Sequence, residues 1–489
     1  MKNTICRAAS ALGLITGLII GLIIVFSVSS SAQSAPLEGN WLGALEVGGG
    51  MKLRLVLKIT KAADGTFSAK MDSIDQGAND LALDSIVLEN KTVRFEAKKY
   101  QMSFEGKLDE VGGEISGTFK QGANSLPLIF KRTAVAAKVS RPQDPVKPYP
   151  YDEEEVVYEN KKDAVKLAGT LTLPRDAKTH PAVILITGSG AQDRNETILG
   201  HRPFLVLADY LTRRGIAVLR VDDRGVGGSS IGSSAATSEN FAGDVLAGIE
   251  FLKTRREINP KQIGLIGHSE GGMIAPMVAA RSADAAFLVL MAGTGQTGED
   301  VLYTQMALLE KGAGIAPQKT AREIGWLKII YSILKTEPDG KRAEQQIRAA
   351  LLKKEHSLSG GEQKQFAAWR AEAEKQLPIL LSAWFHYFVA YDPRPALERV
   401  KVPVLAINGE NDVQVAPKEN LSLIAAALEK GGNKNFTIKS FPKLNHLFQP
   451  SETGLPSEYG KIEQTIAPQV LETIGDWILK NTAHQAKKN

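Results

Sequence analysis

Cysteine is all but absent from this chain: one residue, Cys6, in 489. No internal disulfide can form, and Cys6 precedes the N-terminal apolar run, the wrong side for a lipid-modified mature N-terminus. Core burial alone must therefore hold the fold. A surplus of one charge is missing too, since 59 Lys and Arg against 54 Asp and Glu leave a net charge of +5 with the signs interspersed. That excludes the basic stripe a nucleic-acid partner requires. His, Cys and carboxylates nowhere fall at metal-ligand spacing, so no metal is expected. The run Asp222-Asp223-Arg224-Gly225-Val226-Gly227-Gly228-Ser229 has neither the Lys-Ser/Thr ending of a phosphate loop nor the glycine spacing of a dinucleotide fingerprint, and no cofactor is expected either.

Long apolar runs are lacking except at the start. Residues 11–28 are uncharged and apolar, follow Lys2 and Arg7, and lead into small residues at 29–32 and 35. The pattern predicts a signal peptide over residues 1–32, cleaved after Ala32, and an exported protein, periplasmic or secreted. The run approaches the length of a membrane span, so an uncleaved N-terminal anchor is the alternative, and only then would a membrane be a partner.

The 43% apolar and 23% charged composition is that of ordinary globular protein, and 489 residues exceed what one core usually organises. Residues 37–132 carry short strand-like runs at 53–59, 92–97, 102–108 and 126–130, separated by Gly, Asp and Asn, which predicts a small antiparallel barrel or sandwich. Two matching segments, Gln76-Gly77-Ala78-Asn79 and Gln121-Gly122-Ala123-Asn124, hint at a repeated hairpin. Residues 133–150 hold Pro142, Pro145, Pro148 and Pro150 and read as an extended spacer. Beyond them strand signals at 183–186, 216–221, 263–266, 287–290, 404–407 and 436–438 alternate with amphipathic helices, which predicts an α/β fold with a mostly parallel sheet. Residues 151–294 and 392–480 form its two parts, helical residues 295–391 a cap over the strand ends, and 481–489 a polar tail.

Gly267-His268-Ser269-Glu270-Gly271-Gly272 directly follows one strand signal and opens a helical stretch. That is the context of a nucleophile elbow, whose turn is too tight for side chains at Gly267 and Gly271 and lifts the Ser269 hydroxyl above the sheet edge. A serine hydroxyl attacks poorly without a base in reach. In such a sheet an acid follows one late strand and a histidine the next. Asp412, with Glu410 near enough to compete, follows the strand at 404–407, and His446 follows that at 436–438. Of the other histidines, His180, His201, His356 and His484 read as solvated, while His268 and His386 read as packing residues. Backbone amides of Ser189, then Gly190, in the loop after residue 186, together with that of Glu270, would form an oxyanion hole. Arg224 and Asp223 read as loop-bracing groups. Trp384, Phe385, Tyr387, Phe388 and Tyr391 crowd the end of the cap; some should wall an apolar acyl pocket, with Trp384, Phe385 and Phe388 the candidates, although aromatics at helical spacing commonly pack inward.

Residues 188–194, 222–227 and 267–272 together resemble the α/β-hydrolase superfamily, most closely its bacterial esterase and serine-aminopeptidase-like branch, over about residues 157–479. The resemblance implies cofactor-free hydrolysis of small carboxylic esters, and in some members peptide, thioester or lactone cleavage. The loop at Gly188 departs from the His-Gly oxyanion sequence common in that superfamily. The segment before Pro142 looks like the lipocalin-like β-domain found ahead of some exported hydrolases. An aminopeptidase, which would need cap acids such as Glu299, Asp300 and Glu310 near Ser269, and a non-catalytic binding protein on the same scaffold are the alternatives.

Overall fold

The computed structural model describes residues 37–486 apart from 47–51, 63, 75–77, 123 and 134–139. The expected signal peptide with Cys6, part of each Gln-Gly-Ala-Asn segment and the end of the polar tail lie outside the described residues. Among the described residues no helix is long and apolar enough to cross a membrane.

Strands β1 (Gly39–Glu46), β2 (Lys52–Lys61), β3 (Phe67–Ser73), β4 (Ala78–Ala82), β5 (Ser85–Glu89), β6 (Thr92–Ala97), β7 (Met102–Leu108), β8 (Glu114–Gln121) and β9 (Asn124–Thr133) form one antiparallel sheet in the order β4-β3-β2-β1-β9-β8-β7-β6-β5. Side chains alternate as a half-buried sheet requires: β6 buries Val93, Phe95 and Ala97 and exposes Arg94 and Glu96. The sheet curls into a half-barrel, bringing β3 against β5, around Trp41, Phe95, Phe104 and Phe130. β3 pairs antiparallel with β4, and β8 with β9, the latter out to Gln121 and Asn124.

Residues 140–150 contain neither helix nor strand, but they are not a free spacer. Arg141 donates to the carbonyls of Leu199, Ile462 and Gly460 at 2.8, 2.9 and 3.1 Å, and Gln143 exchanges hydrogen bonds with the main chain of Thr465 and Ile466. Proline-rich composition set the expectation; partners more than three hundred residues away decide the structure.

The second sheet comprises β10 (Tyr151–Asn160), β11 (Val165–Pro174), β12 (His180–Ile186), β13 (Ala217–Val221), β14 (Ile258–His268), β15 (Phe287–Met291), β16 (Val404–Gly409) and β17 (Phe436–Phe441), in the order β10-β11-β13-β12-β14-β15-β16-β17. β11 runs antiparallel to β10 and β13, and the remaining pairs are parallel. Helices α2 (Ser238–Lys253), α3 (Glu270–Ala279) and α10 (Pro417–Lys430) bury Ile249, Ile274 and Ile424 against one face. Helices α1 (Pro203–Arg213) and α11 (Pro468–Ala486) bury Phe204, Leu207, Val470 and Ile474 against the other. Between β15 and β16, α4 (Gly298–Gly312), α5 (Pro317–Thr336), α6 (Gly340–His356), α7 (Gly360–Lys375), α8 (Leu377–Leu380) and α9 (Ala383–Ala390) form the cap, with its own core of Trp326, Tyr331, Phe366, Trp369 and Phe385.

Two histidines expected in solvent are buried. His201 is fully enclosed, with Nδ1 2.9 Å from Thr465 Oγ1 and Nε2 2.9 Å from the Tyr459 carbonyl; burial, helped by Arg141, lowers its imidazole to about 4. His180 opens β12 and faces the Gly215 carbonyl at 3.2 Å. Their polar neighbours in sequence misled, because His201 meets its partners across the fold and His180 is enclosed between Asp176, four residues before it, and Gly215.

Candidate active site

Strand register builds the elbow. β14 pairs Gly267 with Ile186 on one side and His268 with Met291 on the other, so the chain leaves the sheet beside the end of β12. A Cβ on Gly267 would stand 2.0 Å from the Gly271 carbonyl oxygen, and one on Gly271 would stand 2.1 Å from that of Ile186, so only glycine fits either place. Ser269 takes φ 53° and ψ −114°, a strained left-handed backbone that persists only where surroundings over-determine it. It lines a cavity of about 240 Å³ with His446, Trp384, Phe385 and Phe388.

The acid and the histidine arrive on β16 and β17. A Cβ on Gly409 would lie 2.2 Å from the Leu444 carbonyl oxygen, so the two loops are pressed together. Asp412 is buried, and its Oδ1 accepts from the amides of Gln414 and Val415 at 2.8 and 2.9 Å, leaving Oδ2 to His446 Nδ1 at 2.8 Å. Glu410, the competing acid, is exposed and accepts from Ser440 Oγ at 2.7 Å instead. Asn445 holds the turn that presents His446, its Oδ1 accepting from the amides of Leu447 and Gln449 at 3.0 and 2.9 Å.

The loop after β12 is tied at three points. Gly188 donates its amide to Glu196 Oε1 at 2.8 Å; Thr187 Oγ1 and the Gln192 amide donate to Asp223 at 2.8 and 2.9 Å; Arg194 pairs with Asp222 at 2.7 Å. A Cβ on Gly188 would meet Ser269 Cβ at 3.3 Å, so the loop lies directly on the elbow. Among the described residues the amides of Ser189, Gly190 and Glu270 find no acceptor. Asp223 and Arg224 do brace loops, Arg224 pairing with Asp163 and Asp244 at 2.6 and 2.5 Å. Burial pushes the Asp223 carboxyl up to about 7 despite its hydrogen bonds from Gln192 and Thr187. At Asp222 the Arg194 contacts outweigh burial and hold the carboxyl below its ordinary value.

Two side-chain roles escaped the sequence reading. Glu270, beside Ser269, buries its carboxyl completely; Ser238 Oγ and Trp384 Nε1 donate to it at 2.6 and 2.8 Å, and burial raises it above the ordinary carboxylate range. His268, expected to do no more than pack, sets Nδ1 2.9 Å from Glu196 Oε1 and Nε2 3.0 Å from the His446 carbonyl. Two acceptors around one ring, with a carboxylate eight residues past Gly188, leave no local pattern to read.

The cap aromatics divide three ways. Phe385 belongs to the cap core as well as the cavity wall, while Tyr387 and Tyr391 stack on each other against the sheet-side core. Trp384 and Phe388 stack at 5.5 Å and face the cavity. A second cavity of about 360 Å³, walled by Leu167, Ile184, Phe241 and Ile274 together with Asp223 and Arg224, shares Gly188, Ser189, Glu270 and Trp384 with the first. The cap acids line neither: Glu299 pairs with Lys335, Asp300 accepts from Thr297 Oγ1 at 2.6 Å, and buried Glu310 lies 4.0 Å from Lys319. Among the described residues no group of three or more His, Cys, Asp or Glu could hold a metal ion.

An elbow serine at the carboxyl end of a central strand, an acid–histidine pair on later strands and a helical cap inserted between them define an α/β-hydrolase. The chain belongs to the alpha/beta hydrolase family, whose profile matches residues 183–452. It is 26% identical over 371 residues to Esterase EstD of Thermotoga maritima, covering 75% of this chain and 77% of that protein. Among solved structures it is similar to Est1E from Butyrivibrio proteoclasticus with ferulic acid bound, at 16% identity and a TM-score of 0.40, covering 67% of this chain and 99% of the other. It is likewise similar to the Pyrococcus furiosus esterase PF2001, at 17% identity and a TM-score of 0.37, covering 63% and 91% respectively.

Proposed function

We propose that the protein is a carboxylesterase that hydrolyses small esters of short to medium acyl chains. Ser269 Oγ attacks the ester carbonyl while His446 takes its proton; the tetrahedral oxyanion is held by the amides of Ser189, Gly190 and Glu270; collapse expels the alcohol, which His446 protonates, and leaves an acyl-enzyme that water, activated by the same histidine, hydrolyses. Asp412 orients the imidazole and stabilises its cation without taking the proton. The observation that carries this reading is the buried Asp412 Oδ2–His446 Nδ1 hydrogen bond at 2.8 Å, with His446 opening onto the cavity that Ser269 lines. The esterase relative points to the same chemistry.

A fluorophosphonate probe should label Ser269 in the folded protein, and Ser269→Ala should lose both labelling and nearly all turnover of p-nitrophenyl acetate. Full activity in that variant sinks the proposal, and an unlabelled wild type favours a binding protein on a hydrolase scaffold. Glu299, Asp300 and Glu310, the cap acids an aminopeptidase would use to hold a substrate amine, are not among the residues lining the cavity.

A further inference from the structure

Glu196 and His268 sit at the centre of the site without a part in the chemistry just described. Both side chains are buried, at 5% and 7% exposure. Glu196 Oε1 accepts twice, from the Gly188 amide at 2.8 Å and from His268 Nδ1 at 2.9 Å. The ring's other nitrogen lies 3.0 Å from the main-chain carbonyl of His446. Glu196 itself takes φ 52°, a left-handed backbone that a non-glycine residue keeps only where its surroundings impose it.

The ring thus has an acceptor at each nitrogen. A neutral imidazole donates from one nitrogen and would turn a lone pair on an oxygen at the other, whereas an imidazolium donates from both. Burial alone disfavours that cation, but the charge and hydrogen bond of Glu196 outweigh it and raise the ring above its ordinary value. A buried ion pair gains when further hydrogen bonds satisfy its partners, and here the Gly188 amide supplies one to Glu196 and the His446 carbonyl accepts one from His268.

We propose that Glu196 and His268 are a positioning pair for the hydrolysis: one carboxylate and one doubly donating ring fasten the loop carrying the Ser189 and Gly190 amides to the main chain of His446. Oxyanion donors and base then keep a fixed separation across Ser269. The inference rests on the roles proposed above for Ser269 and His446. Other charged or titratable groups surround the pair: Asp412 and the His446 ring, whose centroid is 4.7 Å away, face His268, and Asp223 faces Glu196 from the neighbouring loop. Tyr459 and Glu270, which stand near His446 and Ser269, are both kept towards their neutral forms by burial.

The full-length protein tests this with Glu196→Gln, His268→Gln and the double variant, assayed on p-nitrophenyl acetate beside a wild type with ¹⁵N-labelled histidine. Each single variant should lower kcat by about ten- to a hundredfold, the range that small misplacements of catalytic groups produce, with KM changed by no more than about threefold. The double variant should lose less than the product of the two, because a neutral amide pair can again hydrogen-bond. The wild-type spectrum should hold one histidine with both ring nitrogens protonated above the ordinary imidazole range, and His268→Gln should lack it. Single variants with wild-type kcat, multiplying effects in the double variant, or a singly protonated ring would each overturn the pair. The spectrum decides even if a variant fails to fold. An inactive wild type that resists the fluorophosphonate probe would instead overturn the reading of Ser269, whereas an active wild type with unaffected variants overturns the pair alone.

Discussion

Trp384 stands where the two cavities share a wall, held there by its hydrogen bond to Glu270 and its stacking on Phe388. A closed wall rewards chains that fill the pocket, at about 0.8 kcal/mol per buried methylene, and rejects those that overrun it. Wild-type activity should therefore peak between the p-nitrophenyl esters of acetate and hexanoate and drop for palmitate. Trp384→Ala, which takes away the shared wall between about 240 and about 360 Å³, should shift the optimum to longer chains. A palmitate preference in the wild type, or an unchanged profile in both Trp384→Ala and Phe388→Ala, would reduce the aromatics to cap packing. A second expectation concerns His268. Its pKa is raised in the folded protein, so its pairing with Glu196 stabilises fully below the unfolded histidine value of about 6.5 and fades as pH rises through the folded value. The stability gap between wild type and His268→Gln, measured by urea titration, should thus narrow from pH about 6 towards alkaline pH. Short motifs and chain order singled out Ser269, Asp412 and His446 as candidates, and the structure sets Asp412 against His446 at 2.8 Å beside the cavity that Ser269 lines. The Glu196–His268 and Glu270–Trp384 contacts were not legible in the sequence, since they join residues 72 and 114 positions apart.

At the scale of elements, the turn from β14 into α3 leaves no slack. Gly271→Ala would put a Cβ 2.1 Å from the Ile186 carbonyl oxygen and 2.7 Å from that of Thr187, both backbone atoms that cannot turn aside. The end of β12 must move, and the loop bearing Ser189 moves with it. The variant should lose about 1–3 kcal/mol or more of stability in urea unfolding, as overpacked sites do. Its kcat should fall by about a hundredfold while KM changes little, since the amides facing the oxyanion are displaced. Retention of both quantities would contradict the close approach. The later parallel strands were readable as apolar runs because a sheet covered on both faces demands them. β10 carries no such mark, for the opposite reason. β10 is an edge strand whose Val157 is 64% exposed, and whose acids Glu153, Glu154 and Glu155 pair with Arg220, Arg255 and Arg194, so neither apolar continuity nor clean alternation marks it.

Across the whole molecule, the β-domain core and the two cores flanking the hydrolase sheet share no residue. Such a chain should unfold in two calorimetric transitions, since a cooperative unit is bounded by its core. Arg141 offers a way to tell them apart. Although it lies in the stretch between the domains, three of its four donated hydrogen bonds go to hydrolase carbonyls, at Leu199, Gly460 and Ile462, and the fourth to its neighbour Ser140. Arg141→Ala leaves those carbonyls without that donor, and a charged donor lost at such a site is worth about 2 kcal/mol. With roughly 2.1 cal/mol/K of unfolding entropy per residue, a unit of the hydrolase's size should lose about 3 °C in Tm. Only one of the two transitions should move, and it should be the one that a covalent Ser269 adduct also shifts. A single transition for the wild type, or an equal displacement of both transitions in the variant, would mean that the two cores melt as one unit and that Arg141 fastens the domains to each other, not the linker to the hydrolase.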